Sequence, residues 1–240
     1  LKKEPRISVV IPALNEEKYI GATLFHLAHQ KPYEIIIADS FSTDRTVKIA
    51  KKFGCRIVNC KKGSASIGRN AGAKAARGDV LLFMDADTIA FSNLIEELKK
   101  DFRLKKTVGW TCPVYAFSPK WKEHLMYNAF NNLAEFLIKY AKKPHAAGIV
   151  VAARKSAYAK VGGFDENLKL MEDHDFAMKL GKTGNFTFSK KTCVFTSTRR
   201  IDKWGGWNIF KRYSKYYLSY FINKKKFYSS NQKVRYEPIR

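Results

Sequence analysis

Val80-Leu81-Leu82-Phe83-Met84-Asp85-Ala86-Asp87 runs five apolar residues directly into a pair of carboxylates. A short unbroken apolar run bounded by turn-forming residues reads as a strand covered on both faces, as in the middle of a parallel sheet. Asp85 and Asp87 stand two apart at its end, so both side chains can lie on the same side of the chain. Two hard oxygen ligands placed together suit a divalent cation, Mn2+ or Mg2+, which typically completes its shell with substrate phosphates. A strand-terminal turn accounts equally well for Asp-x-Asp alone, so the neighbouring sequence must decide.

Upstream, apolar runs at residues 7–11, 34–38 and 56–59 alternate with helical patterns. The helices are expected to start near Glu16 after Pro12, near Asp44 behind Ser42 and Thr43, and near Ile67 behind Ser64 and Ser66. Alternation of this kind predicts an α/β fold with a mostly parallel central sheet flanked by helices. Ligands of such sheets sit outside the carboxyl ends of the strands. Those ends read Pro12-Ala13-Leu14-Asn15-Glu16, Asp39-Ser40 and Asp85-Ala86-Asp87. Asp and Asn favour turns for local reasons, yet three carboxylate-bearing tips at one sheet edge are more than turn chemistry requires. Downstream the pattern predicts a strand over 108–117, a helix over 121–140, a strand over 149–153, a helix over 172–181 and short strands over 186–188 and 193–197.

Gly63-Ser64-Ala65-Ser66-Ile67-Gly68-Arg69-Asn70-Ala71-Gly72 and Ala75-Ala76-Arg77-Gly78-Asp79 lead into the Asp85-Ala86-Asp87 strand. This stretch resembles the donor-binding core of glycosyltransferase family 2, in which an arginine-asparagine helix precedes a strand ending in Asp-x-Asp. Val9-Val10-Ile11-Pro12-Ala13-Leu14-Asn15-Glu16 and Ala38-Asp39-Ser40-Phe41-Ser42-Thr43-Asp44-Arg45-Thr46 resemble that family's first two strand ends. The resemblance implies a GT-A catalytic domain over residues 1–200, with a nucleotide-sugar-binding half (1–90) and an acceptor-binding half (91–200), followed by a basic, aromatic extension over 201–240. It implies a hexosyltransferase-type enzyme whose donor is a UDP- or GDP-sugar; the acceptor is expected to be a saccharide or, from the basic tail, lipid-linked. Pro12, Asn15, Glu16, Asp39, Ser42, Arg69, Asn70, Asp85 and Ala86 would surround the donor. Asp39 would read the base edge, Arg69 would approach the sugar or phosphate side, and Asp87, with Asp85 beside it, would hold the metal. Where the family often has Asp-Asp-Gly-Ser, this chain has Asp39-Ser40-Phe41-Ser42.

Met171-Glu172-Asp173-His174-Asp175-Phe176, after Gly162-Gly163-Phe164-Asp165, resembles the family's acceptor-side motif. A hydroxyl is a poor nucleophile at neutral pH, and a carboxylate within hydrogen-bond reach contributes roughly two to four decades in rate. Asp173 is the expected general base, with Glu172 beside it and inversion at the anomeric carbon. Acids at a helix start also complement its dipole, and Asp175 and Lys179 can pair at i, i+4. A phosphate acceptor, as in dolichyl-phosphate mannosyltransferases, would not call for this base. Arg199 and Arg200 follow a short strand and suit the diphosphate, because guanidinium forks pair with phosphate oxygens. Thr196-Ser197-Thr198-Arg199-Arg200 occupies the region where processive synthases carry Gln-x-x-Arg-Trp. His26, His29, His124, His145 and His174 form no sequence cluster with evident chemistry.

The chain has 240 residues, 45 Lys and Arg against 21 Asp and Glu, and a formal charge of +24. An anionic partner is expected: a nucleic acid, an acidic membrane surface or a phosphorylated substrate. From Thr198 to Arg240 there are 12 Lys or Arg, only Asp202 and Glu237 as acids, and 11 aromatic residues. Trp207, Phe210, Tyr213, Tyr217 and Phe221 fall on one helical face, with Lys211, Arg212 and Lys215 around the other side. Such a helix either packs on the catalytic domain or lies in a membrane interface, and both hold if packing at one end leaves Lys224-Lys225-Lys226 at the membrane. RNA or single-stranded DNA binding leaves the clustered carboxylates unexplained, so no nucleic acid is expected. A nucleotidyltransferase would need a glycine-rich, lysine-containing loop where Pro12-Ala13-Leu14-Asn15-Glu16 stands. No apolar run reaches a membrane-spanning length and Leu1-Lys2-Lys3-Glu4-Pro5-Arg6 lacks the apolar core of a signal peptide. A cytoplasmic protein, peripheral at the inner face of the membrane, is the expectation, with Cys55, Cys60, Cys112 and Cys193 as free thiols.

Overall fold

The computed structural model describes residues 4–222 together with 227, 228 and 231. In chain order the elements are β1 (Ile7–Ala13), α1 (Ile20–Ala28), β2 (Glu34–Asp39), α2 (Thr46–Lys52), β3 (Arg56–Asn59), α3 (Ala65–Ala75), β4 (Val80–Met84), β5 (Thr88–Ala90) and α4 (Leu94–Phe102). They continue with β6 (Thr107–Thr111), β7 (Val114–Ala116), α5 (Trp121–Lys139), β8 (Val150–Arg154), α6 (Lys155–Val161), α7 (Glu172–Gly181), β9 (Asn185–Phe188), β10 (Val194–Thr196), α8 (Arg199–Trp204) and α9 (Gly206–Ile222).

Seven strands form one sheet in the order β3-β2-β1-β4-β8-β6-β9. The pairs β1·β2, β1·β4, β2·β3 and β6·β9 are parallel, and β8 lies antiparallel between β4 and β6. The alternation of side chains along β1 explains the layering. Ile7, Val9 and Ile11 join Leu24 and Leu27 of α1 and Leu98 of α4 on one face, while Val10 joins Ala73 of α3 and Phe176 and Leu180 of α7 on the other. Gly72 lets α3 approach the sheet, because a Cβ there would stand 2.3 Å from Val10 Cγ1. A smaller sheet, β5-β10-β7, lies beside the end of β4 and carries the chain toward α8.

Three boundaries differ from expectation. Helix α1 starts at Ile20 rather than near Glu16, because Asn15 takes a positive φ of 55° and the Glu16 carbonyl closes a turn onto Tyr19 and Ile20. Helix α2 starts at Thr46, whose N–H donates to the Asp44 carboxylate at 2.9 Å. The run at 108–117 divides into β6 and β7 at Cys112-Pro113, where proline has no N–H for a ladder and the chain passes from the large sheet to the small one.

Helix α9 docks on the segment before α7. Tyr220 and Phe227 are buried with Leu168 and Met171, and the Tyr220 and Tyr228 hydroxyls donate to Asp175 Oδ1 at 3.2 Å each. Asn231 clamps that segment, accepting from the Lys169 N–H at 2.6 Å and donating to the Leu170 carbonyl at 2.8 Å. Among the described side chains of α9 the buried one is Tyr220, which lies off the expected aromatic stripe. Of that stripe Tyr217 packs against His145 and His174 while Trp207 is exposed. The side chains of Phe210, Arg212, Tyr213 and Phe221, and residues Lys224, Lys225 and Lys226, lie outside the described residues. Cys55, Cys60 and Cys112 are buried free thiols, and Cys193 is free and half-buried.

Candidate active site

A cleft of about 1780 Å3 runs across the strand ends, with Pro12, Glu16, Ser40, Arg69, Asp85, Ala86 and Asp87 toward one end of the chain and Gly148, Glu172 and Asp173 from its second half. Helix α3 delivers Arg69 into its floor. This guanidinium is 2% exposed and donates to Asp85 Oδ1 at 3.0 Å, to Glu172 Oε1 at 3.0 Å and to the Gly148 carbonyl at 2.7 Å. One cation thus ties the end of β4 to the start of α7. Removing one partner of such a buried pair costs about 3–5 kcal/mol, because the other charge is left in a poor solvent. Gly148 is demanded by this packing: a Cβ there would lie 2.8 Å from Arg69 Nη2 and 3.1 Å from Asp173 Oδ2.

Asp173 is half-buried at the first turn of α7, and its Oδ1 accepts from the His174 N–H at 2.8 Å. Burial, then the neighbouring charge of Glu172, push its carboxyl up to about 7 against the pull of Arg69. Met171, just before it, holds a positive φ of 64°, a conformation that costs a side-chain-bearing residue on the order of 1–2 kcal/mol and is held here by its burial under α9.

On the opposite wall Arg199 makes a two-pronged contact with Glu16, 2.8 Å to each oxygen, and its Nε lies 2.9 Å from Asp87 Oδ2. Its guanidinium also stacks over Tyr19 at 4.9 Å. Asp87 accepts a hydrogen bond from the Ser197 hydroxyl. Burial and the charge of Asp85 push the Asp87 carboxyl up, and burial does the same to Glu16. Arg200 is exposed on the same rim of the cleft. Asp39 is buried at the end of β2, where its Oδ2 accepts from the Ser42 N–H at 3.0 Å and its Oδ1 has no hydrogen-bond partner among the described residues.

Matching Glycosyl transferase family 2 over residues 8–162, the sequence agrees with that family's model across every strand from β1 to β8. The chain belongs to glycosyltransferase family 2. An uncharacterized glycosyltransferase of Haemophilus influenzae is 26% identical over 82% of the chain and 74% of its own length. The 4,4'-diaponeurosporenoate glycosyltransferase of Staphylococcus haemolyticus is 40% identical over 65% of the chain, which spans 46% of that relative. Among solved structures, S. aureus TarS 1-349 in complex with UDP-GlcNAc superposes with a TM-score of 0.66 at 20% identity, over 80% of this chain and 58% of that one. A mannosyltransferase from Pyrobaculum calidifontis in complex with GDP-Man and Mn2+ gives 0.61 at 15% identity, over 80% and 57%. These likenesses establish the GT-A fold for the family 2 chain, which is the mixed, mostly parallel sheet described above.

Several of the expected donor-side residues also hold the framework of the site. The two terminal nitrogens of Arg69 are taken by Asp85, Glu172 and Gly148, and its buried Nε has no hydrogen-bond partner among the described residues. Asn70 turns away from the cleft: its amide donates to the Phe164 carbonyl at 2.9 Å and accepts from the Phe164 N–H at 3.0 Å and the Tyr158 hydroxyl at 2.7 Å, fixing the Gly162-Gly163-Phe164 turn. Asn15 and Ser42 latch two loops together, the Asn15 N–H donating to Ser42 Oγ at 2.9 Å and Asn15 Oδ1 accepting from the Thr43 N–H at 2.8 Å. These latches shape the loops that carry Glu16 and Asp39 rather than the cleft wall itself.

A buried histidine pair was not foreseen. His145 Nδ1 and His174 Nδ1 are 2.8 Å apart beside the cleft, and burial lowers both, to about 3 and about 4. Neutral imidazoles, one donating and one accepting, satisfy that contact. No group of three or more His, Cys, Asp or Glu gathers as a metal shell among the described residues. Asp85 and Asp87 are the carboxylates that line the cleft at the end of β4, and the charge of Asp85 adds to burial in raising Asp87, a contribution that a cation between them would offset.

Proposed function

We propose that this family 2 domain transfers a glycosyl group from a nucleoside diphosphate sugar, UDP- or GDP-linked, to an acceptor hydroxyl with inversion, using Asp173 as general base. The observation that carries the reading is the Arg69 bridge: one buried guanidinium holds Asp85 of the Asp-x-Asp strand and Glu172 of the acceptor-side motif at 3.0 Å each. Donor-side and acceptor-side carboxylates thereby face one cleft in fixed relation, which is what an in-line displacement needs. The UDP-GlcNAc and GDP-Man complexes of structurally similar enzymes support a nucleotide-sugar donor.

Asp173 would accept the proton of the acceptor hydroxyl as that oxygen forms its bond to the anomeric carbon, and the bond from that carbon to the diphosphate breaks on the opposite face. A carboxyl held near 7 is suited to this, being ionised at working pH while still basic enough to take the proton. Asp85 and Asp87 would hold Mn2+ or Mg2+, which supplies Lewis-acid stabilisation of the departing diphosphate. Asp39, with one buried oxygen lacking a partner among the described residues, would accept from the donor's base. Arg199 and Arg200 would meet the diphosphate once the Arg199 contacts to Glu16 and Asp87 are exchanged for it.

Mn2+-dependent release of nucleoside diphosphate from a panel of nucleotide sugars tests this reading in wild type and Asp173→Asn. The variant is expected to bind nucleotide normally and to lose roughly two to four decades in turnover. Normal turnover in Asp173→Asn would remove the base assignment.

A further inference from the structure

Helix α5 is anchored by its inner face and apolar on its outer one. Asn131 grips β7 through both the N–H and the carbonyl of Val114, at 3.0 and 2.8 Å, so the helix cannot roll to hide its other side. That side places Trp121, Leu125 and Leu133 at four- and eight-residue steps, one line of a helix, with Trp121 68% and Leu125 60% exposed. Helix α9 faces the same space with Leu218 at 59% and, beyond it, Ile222 at 80% exposed. Trp121, Leu125, Leu133 and Leu218 line the cleft that holds Asp87 and Asp173. A wall for a polar sugar acceptor would present converging hydrogen-bonding groups. Lys122, Ser214 and Tyr217 line the cleft too, but alkyl and indole surface predominates on this wall.

Charge says what covers this surface. Lys122, Lys142, Lys203, Lys211 and Lys215 are exposed on or beside the same helices, on a chain of formal charge +24. Lys122 lies 5.8 Å from the Trp121 ring and Lys211 lies 5.2 Å from the Trp207 ring, each pairing an ammonium with an indole as at a membrane interface. No helix of the described residues is long and apolar enough to cross a membrane.

We infer that the acceptor is an amphiphile whose apolar chain lies along the α5 and α9 wall, entering from an anionic bilayer on which the outer faces of these helices rest. The inference rests on the glycosyltransfer reading and adds to it the acceptor's chemical class and the side from which it arrives. The hydroxyl at the head of the chain reaches Asp173, while the chain stays in apolar surroundings at the cleft mouth.

The test uses the full chain and vesicles of phosphatidylcholine with and without phosphatidylglycerol. The protein should float with the anionic vesicles, be released by added salt, and lose about tenfold or more of the bound fraction in the double variant Leu125→Glu, Leu218→Glu. Both positions are exposed, and an unchanged melting curve would show that the variant folds. A long-chain alcohol should raise the unfolding temperature of the wild type where a free hexose does not. Absence of flotation while nucleotide and Mn2+ still bind would overturn the inference and leave glycosyl transfer standing. Unchanged flotation of the double variant would also overturn it, as would a concentration-dependent dimer abolished by the same two changes, which would assign the face to a second copy. Flotation without any nucleotide binding would overturn the acceptor assignment along with the transfer reading.

Discussion

Arg69 pairs with Asp85 sixteen residues away and with Glu172 at a separation of 103, which is why its role was not legible in the sequence. An arginine beside an asparagine on a helix reads as a donor ligand, and only the fold shows it to be a joint. Arg69→Met should cost up to about 3–5 kcal/mol in a denaturant titration, since it removes the buried cation shared by the half-buried carboxylates of Asp85 and Glu172. Asp173 gives a second prediction at this scale. Its folded carboxyl is raised from an ordinary value of 3.8 to about 7, so between these values the folded protein binds more protons than the unfolded chain. Stability contributed by the protonated group is therefore present at low pH and lost as pH rises through about 7. Asp173→Asn should accordingly gain melting temperature over wild type more at pH 8 than at pH 5, whereas transfer by the wild type should fall about tenfold per unit below its apparent value. Equal differences at the two pH values would contradict the assignment.

At the scale of elements, the strands that end in the site were readable because each is a short apolar run closed by a carboxylate: β1 at Glu16, β2 at Asp39, β4 at Asp85 and Asp87. The break between β6 and β7 had its signal in Pro113, which cannot serve a ladder, but the apolar residues on either side concealed it. The antiparallel insertion of β8 between β4 and β6 had no signal, because a period of two records which face is buried and not which strand is the neighbour. The same limit hid the His145 and His174 pair, contributed by a loop and a helix 29 residues apart. Asp175 ties helix α7 to Tyr220 of α9 and to Tyr228 beyond that helix, accepting from both hydroxyls. Asp175→Asn keeps the volume and weakens both bonds, so it should loosen α9 and cost about 1–3 kcal/mol, read as faster amide exchange in α9 with little change in the central sheet. Phe83, whose ring meets Phe164 at 4.9 Å and Phe176 at 6.0 Å, ties the sheet to the acceptor-side turn. Phe83→Ala should cost about 3–5 kcal/mol in the same titration.

At the scale of the whole molecule, one cleft joins carboxylates from strand ends to an apolar wall of helices, and the account stands on that cleft taking a nucleoside diphosphate with a metal. The most direct measurement is a thermal-unfolding panel of UDP, GDP, dTDP and CDP, each with and without Mn2+, on wild type and Asp87→Ala. A ligand at 100 times its dissociation constant adds about 2.7 kcal/mol, roughly 5 to 10 °C for a chain of this size. A Mn2+-dependent shift of that order is expected with UDP or GDP in the wild type and none in Asp87→Ala. No shift with any nucleotide, or an equal shift in both proteins, would contradict it.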